Sequence, residues 1–144
     1  MSIHGSCHCG NLRFELDWAA PEPADIPARA CGCTFCLKHG GVWTSSPNGA
    51  LRVAVEDATL HARYRFGTGT ADFHVCRRCG AVPVVTCTID ARLVAVVNVN
   101  CFDDFDRTRL RAQPVSFEAE DTAERLARRA KGWIGQVQFE GAAP

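Results

Sequence analysis

Over the first two-thirds of the chain, apolar and polar positions alternate with period two, the pattern of strands that bury one face. Leu12, Phe14, Leu16 and Trp18 form one such series, and Leu51, Val53 and Val55 another. Leu60, Ala62, Tyr64 and Phe66 form a third, which places His61, Arg63 and Arg65 on the outer face. Ala71, Phe73 and Val75 run into Cys76. Residues 81–89 and 93–99 are rich in β-branched side chains, and Asp90-Ala91-Arg92 between them predicts a hairpin. Gly40-Gly41, Ser46-Pro47-Asn48-Gly49 and Gly67-Thr68-Gly69 punctuate these runs, and residues 19–27, with three prolines and two acids, read as a surface loop. Only near the C-terminus does the period lengthen. There Asp121 can cap a helix with Glu124 three residues later, Leu126, Ala130 and Trp133 share one face, and Gly132 can end it. Glu124 and Arg128 stand four apart, the spacing of a helical ion pair. The pattern therefore predicts a mainly β fold of antiparallel sheets with a short C-terminal helix.

Composition narrows the possibilities. The chain has 144 residues and 47% hydrophobic content, enough for one domain with a real core. Its 16 basic and 16 acidic side chains balance, so the excess of positive charge expected of a nucleic-acid-binding protein is missing. Arg125, Arg128, Arg129 and Lys131 form a local basic run beside Glu120, Asp121 and Glu124, which reads as a solvated helix face. The longest plain apolar stretch, Leu93 to Val97, is far too short to span a membrane. Met1 to His4 lead directly into the first cysteines without a leader-like segment, so a reducing cytoplasm is the expected location.

Seven of the nine cysteines fall into three tight clusters: Cys7 and Cys9; Cys31, Cys33 and Cys36; Cys76 and Cys79. Such spacing lets neighbouring sulfurs reach one metal at about 2.3 Å, the usual zinc–sulfur distance. An odd cysteine count argues against a secreted disulfide framework, and a dithiol redox role for Cys76 and Cys79 would not account for the other clusters. A structural zinc takes four protein ligands, whereas a reactive one keeps three and leaves a position open. Cys7, Cys9, Cys76 and Cys79 suit the closed kind, and Cys31, Cys33 and Cys36 the open kind. Two closed sites, with Cys87 or Cys101 completing the second, also satisfy the count.

Gly5-Ser6-Cys7-His8-Cys9-Gly10, residues 31–36 and His74-Val75-Cys76-Arg77-Arg78-Cys79-Gly80 together resemble the glutathione-dependent formaldehyde-activating enzyme family, also called the centromere protein V/Gfa family. Residues 97–104 add to the resemblance, which covers roughly residues 3–117. It implies a zinc-stapled, Mss4-like fold (a β-tent) in a single domain over 1–144, with a core at about 3–117 and a helical extension at about 121–133. It also implies two Zn2+ per chain. Cys7, Cys9, Cys76 and Cys79 would be the structural ligands, and Cys31, Cys33 and Cys36 would hold the reactive metal. The implied activity is of the carbon–sulfur lyase type: condensation of glutathione, or a similar small thiol, with formaldehyde or another small aldehyde. A non-catalytic module with two structural zincs that binds a protein partner is the alternative.

His39, three residues past Cys36, is a candidate proton shuttle. Lys38, Arg63 and Arg65 read as solvated, Phe35 and Trp43 as packing, His74 as partly buried, and Cys87 and Cys101 as small core residues.

Overall fold

A computed structural model describes all of residues 1–144 and is mainly β. The elements are β1 (Ser2–Ser6), β2 (Leu12–Asp17), β3 (Ile26–Cys31), α1 (Thr34–His39), β4 (Val42–Thr44), β5 (Ala50–Val55), β6 (His61–Tyr64), β7 (Asp72–Cys76), β8 (Val84–Ile89), β9 (Arg92–Asn98), β10 (Leu110–Val115), α2 (Thr122–Gly132) and β11 (Gln136–Glu140). They form two sheets, one ordered β1-β2-β5-β11 and the other β10-β3-β4-β9-β8-β7-β6. Most neighbours are antiparallel, but β10 runs parallel to β3 and β11 runs parallel to β5. No helix is long and apolar enough to cross a membrane.

The alternation read from the sequence places the core between the sheets. Phe14, Leu16, Leu51 and Val53 from the first sheet meet Ile26, Val84 and Val97 from the second. The central hairpin is buried on both faces. Val84, Ala95 and Val97 point into that core, while Val85, Val94 and Val96 point the other way, into a second cluster with Trp43 and Trp133. That double burial is why residues 84–97 carry few polar side chains. The second cluster lies beneath α2 and forms the floor of the site described below.

The predicted hairpin is present, with Ile89 paired to Arg92 and Asp90 and Ala91 both at positive φ. Asp121 caps α2, its carboxylate accepting from the Glu124 amide at 2.8 Å. Four expectations need correction. In β6 the inward residue is His61, not its apolar neighbours; Tyr64 lies exposed. In β7 the inward residues are His74 and Cys76, because this strand continues the sheet into the tetrathiol corner. Arg128 pairs with Glu120 at 3.0 Å rather than with Glu124. On α2, Ala130 is exposed and Arg129 is buried, so the basic run is not a solvated face.

Candidate metal centres

Two matching turns build the first centre. Where β1 ends, the Cys7 amide donates to the Leu12 carbonyl at 2.8 Å and the Gly10 amide donates back to the Cys7 carbonyl at 3.0 Å. Where β7 ends, the Cys76 amide donates to the Ala81 carbonyl at 3.0 Å and the Gly80 amide to the Cys76 carbonyl at 2.8 Å. Each turn closes at a glycine with positive φ, +82° at Gly10 and +79° at Gly80, a conformation that a side chain would resist. The turns face each other, and the sulfurs of Cys7, Cys9, Cys76 and Cys79 all lie within 4.8 Å of one another. Cys7 and Cys9 sulfurs stand 3.7 Å apart, and Cys9 and Cys76 sulfurs 3.5 Å. A tetrahedral zinc at about 2.3 Å from each sulfur requires edges of about 3.8 Å, whereas a disulfide requires about 2.05 Å. All nine cysteines are free thiols. The Leu12 amide also donates to the Cys7 sulfur at 3.2 Å. Without a cation, burial pushes the Cys7 thiol up to about 12. Four converging soft donors with no carboxylate among them fit a dication such as zinc.

The second centre is local. Cys31 ends β3, Cys33 is the N-cap of α1, and Cys36 lies inside that helix. The Cys36 amide donates to the Cys33 sulfur at 3.4 Å, and the Gly40 amide closes the helix on the Cys36 carbonyl at 2.9 Å. The sequence signalled the cluster but not α1. With only six residues the helix has no room for a periodic pattern, and a cysteine in place of Ser or Asp masks its cap. The three sulfurs lie within 4.8 Å of one another. The contact with Cys36 holds the Cys31 thiol down to about 5, and the same contact, together with burial, pushes Cys36 up. Trp43 Nε1 donates to the Cys36 sulfur at 3.4 Å. Three thiolates this close need a positive charge among them, and so this donor set also fits a zinc.

No fourth Cys, His, Asp or Glu joins this trio. Cys87 is buried in the floor beneath α2, and its sulfur accepts from Arg129 at 3.6 Å. Cys101 packs against the core between the sheets, where burial pushes its thiol up to about 12. Instead of a fourth ligand, the trio borders a pocket of about 140 Å³. Its walls are Trp43, Phe66, Phe73 and Trp133, with Arg29 from β3 and Arg125, Arg128 and Arg129 from α2.

The remaining candidates lie elsewhere. The His39 ring packs on Phe35 at 4.4 Å and near Trp43 at 5.8 Å, outside the pocket wall, and its Nε2 has no partner. Lys38 is exposed. Arg65 forms a fork on Asp72 at 2.6 and 3.0 Å, and Arg63 donates to the Ala143 carbonyl. His74 is fully buried in a hydrogen-bond chain with His61 and Thr86. The arginines of the pocket were the residues that sequence reasoning missed. The available signal was that Arg125, Arg129 and Trp133 repeat every four residues, as a single helix face does.

Comparison with known proteins points one way. A family model described as "Glutathione-dependent formaldehyde-activating enzyme" matches residues 2–119. A protein of Halomonas elongata named "Putative glutathione-dependent formaldehyde-activating enzyme" is 31% identical over 88 residues. That match takes in 56% of this chain and 54% of the relative, so it spans about half the length of that protein. A crystal structure of a Rhodobacter sphaeroides protein is similar with a TM-score of 0.55 and 28% identity, covering 74% of this chain and 93% of that one. The matched family segment ends before α2 begins.

Proposed function

The chain belongs to the glutathione-dependent formaldehyde-activating enzyme family, and on that premise we propose that it is a zinc-dependent enzyme of the carbon–sulfur lyase type. In this reading it makes and breaks thiol–aldehyde adducts, as in the joining of glutathione to formaldehyde to give S-hydroxymethylglutathione. Residues 1–144 act as one domain, in a reducing compartment such as the cytoplasm. The observation that carries the proposal is the trio of sulfurs whose remaining side is a pocket rather than a fourth ligand.

Cys7, Cys9, Cys76 and Cys79 would hold a structural zinc, and Cys31, Cys33 and Cys36 a second one. A three-thiolate zinc with an open position lowers the pKa of a thiol and polarises a carbonyl oxygen. The rest of the work belongs to the chain. Trp43 fixes the Cys36 sulfur by its indole N–H, so the trio keeps one shape. Trp43, Phe73 and Trp133 exclude water around the reacting carbon. The balance is simple: a C–S bond forms, the C=O bond becomes C–OH, and the thiol proton ends on that oxygen, with no oxidant or reductant. His39 is the proposed carrier of that proton; it stands outside the wall, so in this reading it would act through an intervening water and not by touching the reacting oxygen.

The test is a zinc count followed by cobalt substitution. Two metals per chain are expected, and added glutathione should change the absorption of one and leave the other unchanged. Product formation from glutathione and formaldehyde should be lost in Cys33→Ser and reduced in His39→Gln. If both metals ignore thiols, the catalytic reading fails and the protein-binding module takes its place.

A further inference from the structure

Arginine stays protonated in proteins, and a buried charge without a counter-charge costs several kcal/mol. Arg129 is 7% exposed. Its guanidinium donates to the Thr70 hydroxyl at 2.8 Å and to the Cys87 sulfur, and it stacks at 4.9 Å on Trp133. None of the three partners is a carboxylate, and Nε has no partner. Arg125 donates to the Phe117 carbonyl at 2.9 Å, and its Nε is likewise unpartnered. Arg29 donates to the Ser45 hydroxyl at 3.0 Å. No ion pair reaches Arg29, Arg125 or Arg129, whereas Arg128 beside them is matched by Glu120 at 3.0 Å. Glu118 at the rim is exposed and unpaired. Three arginines without a carboxylate partner thus line the same pocket as the thiol trio. A zinc dication with three thiolates carries one negative charge, so it offsets only one of them.

Resting on the reading of that pocket as the reaction site, we propose that Arg29, Arg125 and Arg129 form a carboxylate-binding wall, and that the substrate is an organic acid. Its carboxylate lies on the arginines, and its thiol or carbonyl end points at Cys31, Cys33 and Cys36. Guanidinium groups suit this role because their planar fork matches a carboxylate. The aromatic walls accept the hydrocarbon between the two ends. Size selects among acids. A cavity of about 140 Å³ is close to the roughly 150 Å³ that encloses benzene. A short acid fits within that volume, and glutathione only at one end. Two of the three arginines come from α2, beyond the family-matched segment.

The experiment uses the zinc-loaded full chain and tryptophan fluorescence, since Trp43 and Trp133 both line the pocket. The probes are 3-mercaptopropionate, its neutral analogue 3-mercaptopropan-1-ol, glutathione and propionate. The acid should bind at least tenfold tighter than the alcohol, and Arg129→Gln should erase the difference. Arg125→Gln, at a half-buried position, repeats the test should Arg129→Gln not fold. Glutathione binding more weakly than the short acid assigns the carboxylate to a small free acid. Tighter glutathione binding that is lost in Arg125→Gln assigns it to the tripeptide, and both results sustain the wall. Equal affinity of the wild type for acid and alcohol overturns it, whatever the variants do. If neither thiol binds, the reaction-site reading falls separately, and propionate decides the arginines. A propionate response lost in Arg125→Gln sustains the wall, and no response overturns it.

Discussion

His74 shows how a single side chain can be placed by chemistry that hydrophobic patterning does not register. Its Nδ1 meets His61 Nε2 at 2.7 Å and its Nε2 meets the Thr86 hydroxyl at 2.7 Å, so both ring nitrogens are used inside the protein. Burial, reinforced by His61, pushes His74 down to about 3, and the ring is neutral. Thr86→Val keeps the shape but leaves a buried nitrogen without a partner, which costs about 1–3 kcal/mol. Urea unfolding should show that loss, and Thr86→Ser should recover most of it. Gly5 is a second residue whose identity is set by its neighbours. A Cβ there would collide with the Phe14 ring and stand 2.7 Å from the Cys101 carbonyl oxygen. Gly5→Ala should therefore cost about 1–3 kcal/mol as an overpacked core, measured by the same unfolding curves. The sequence marked Gly5 as part of a motif. The reason for a glycine is visible only once β1 and β2 pair Gly5 with Phe14.

At the scale of elements, legibility followed contact range. β2, β5 and the β8–β9 hairpin were readable because each buries one or two regular faces. The hairpin turn carries Asp90 at φ 49° and Ala91 at φ 63°, which suits glycine better than alanine. Ala91→Gly should raise stability by roughly 0.5–1 kcal/mol, the left-handed penalty less the added chain entropy, and thermal melting would show it. The start of α2 was also legible through Asp121, and Asp121→Ala should cost about 0.5–2 kcal/mol by the same measurement. The inward face of α2 was only partly legible. Of the predicted Leu126, Ala130 and Trp133, Leu126 and Trp133 do pack inward, but Ala130 is exposed and the helix turns Arg125 and Arg129 toward the pocket. The parallel strands β10 and β11 escaped for a related reason: each pairs with a partner far away in sequence and buries little of its own surface.

The two cysteine centres sit differently in the whole molecule, and that difference makes a prediction. Cys7 and Cys9 follow β1 of one sheet, while Cys76 ends β7 of the other and Cys79 lies just beyond it, so the tetrathiol centre joins the two sheets at a corner. Cys31, Cys33 and Cys36 join only the end of β3 to α1. A metal in the first centre would tie together chain positions such as Cys9 and Cys76, 67 apart in sequence. Structural zinc supplies an apparent binding energy of about 10–16 kcal/mol near neutral pH, comparable to the whole stability of a domain. Chelation of both metals should therefore abolish cooperative melting. Cys76→Ser should reduce soluble yield and melting temperature far more than Cys33→Ser, whose loss should fall on thiol binding. An unchanged melting temperature after verified removal of both metals would show that packing between the sheets suffices alone. Equal damage from the two substitutions would mean that α1 and its trio are as architectural as the corner, and the open side of the trio would then be a surface without a reaction.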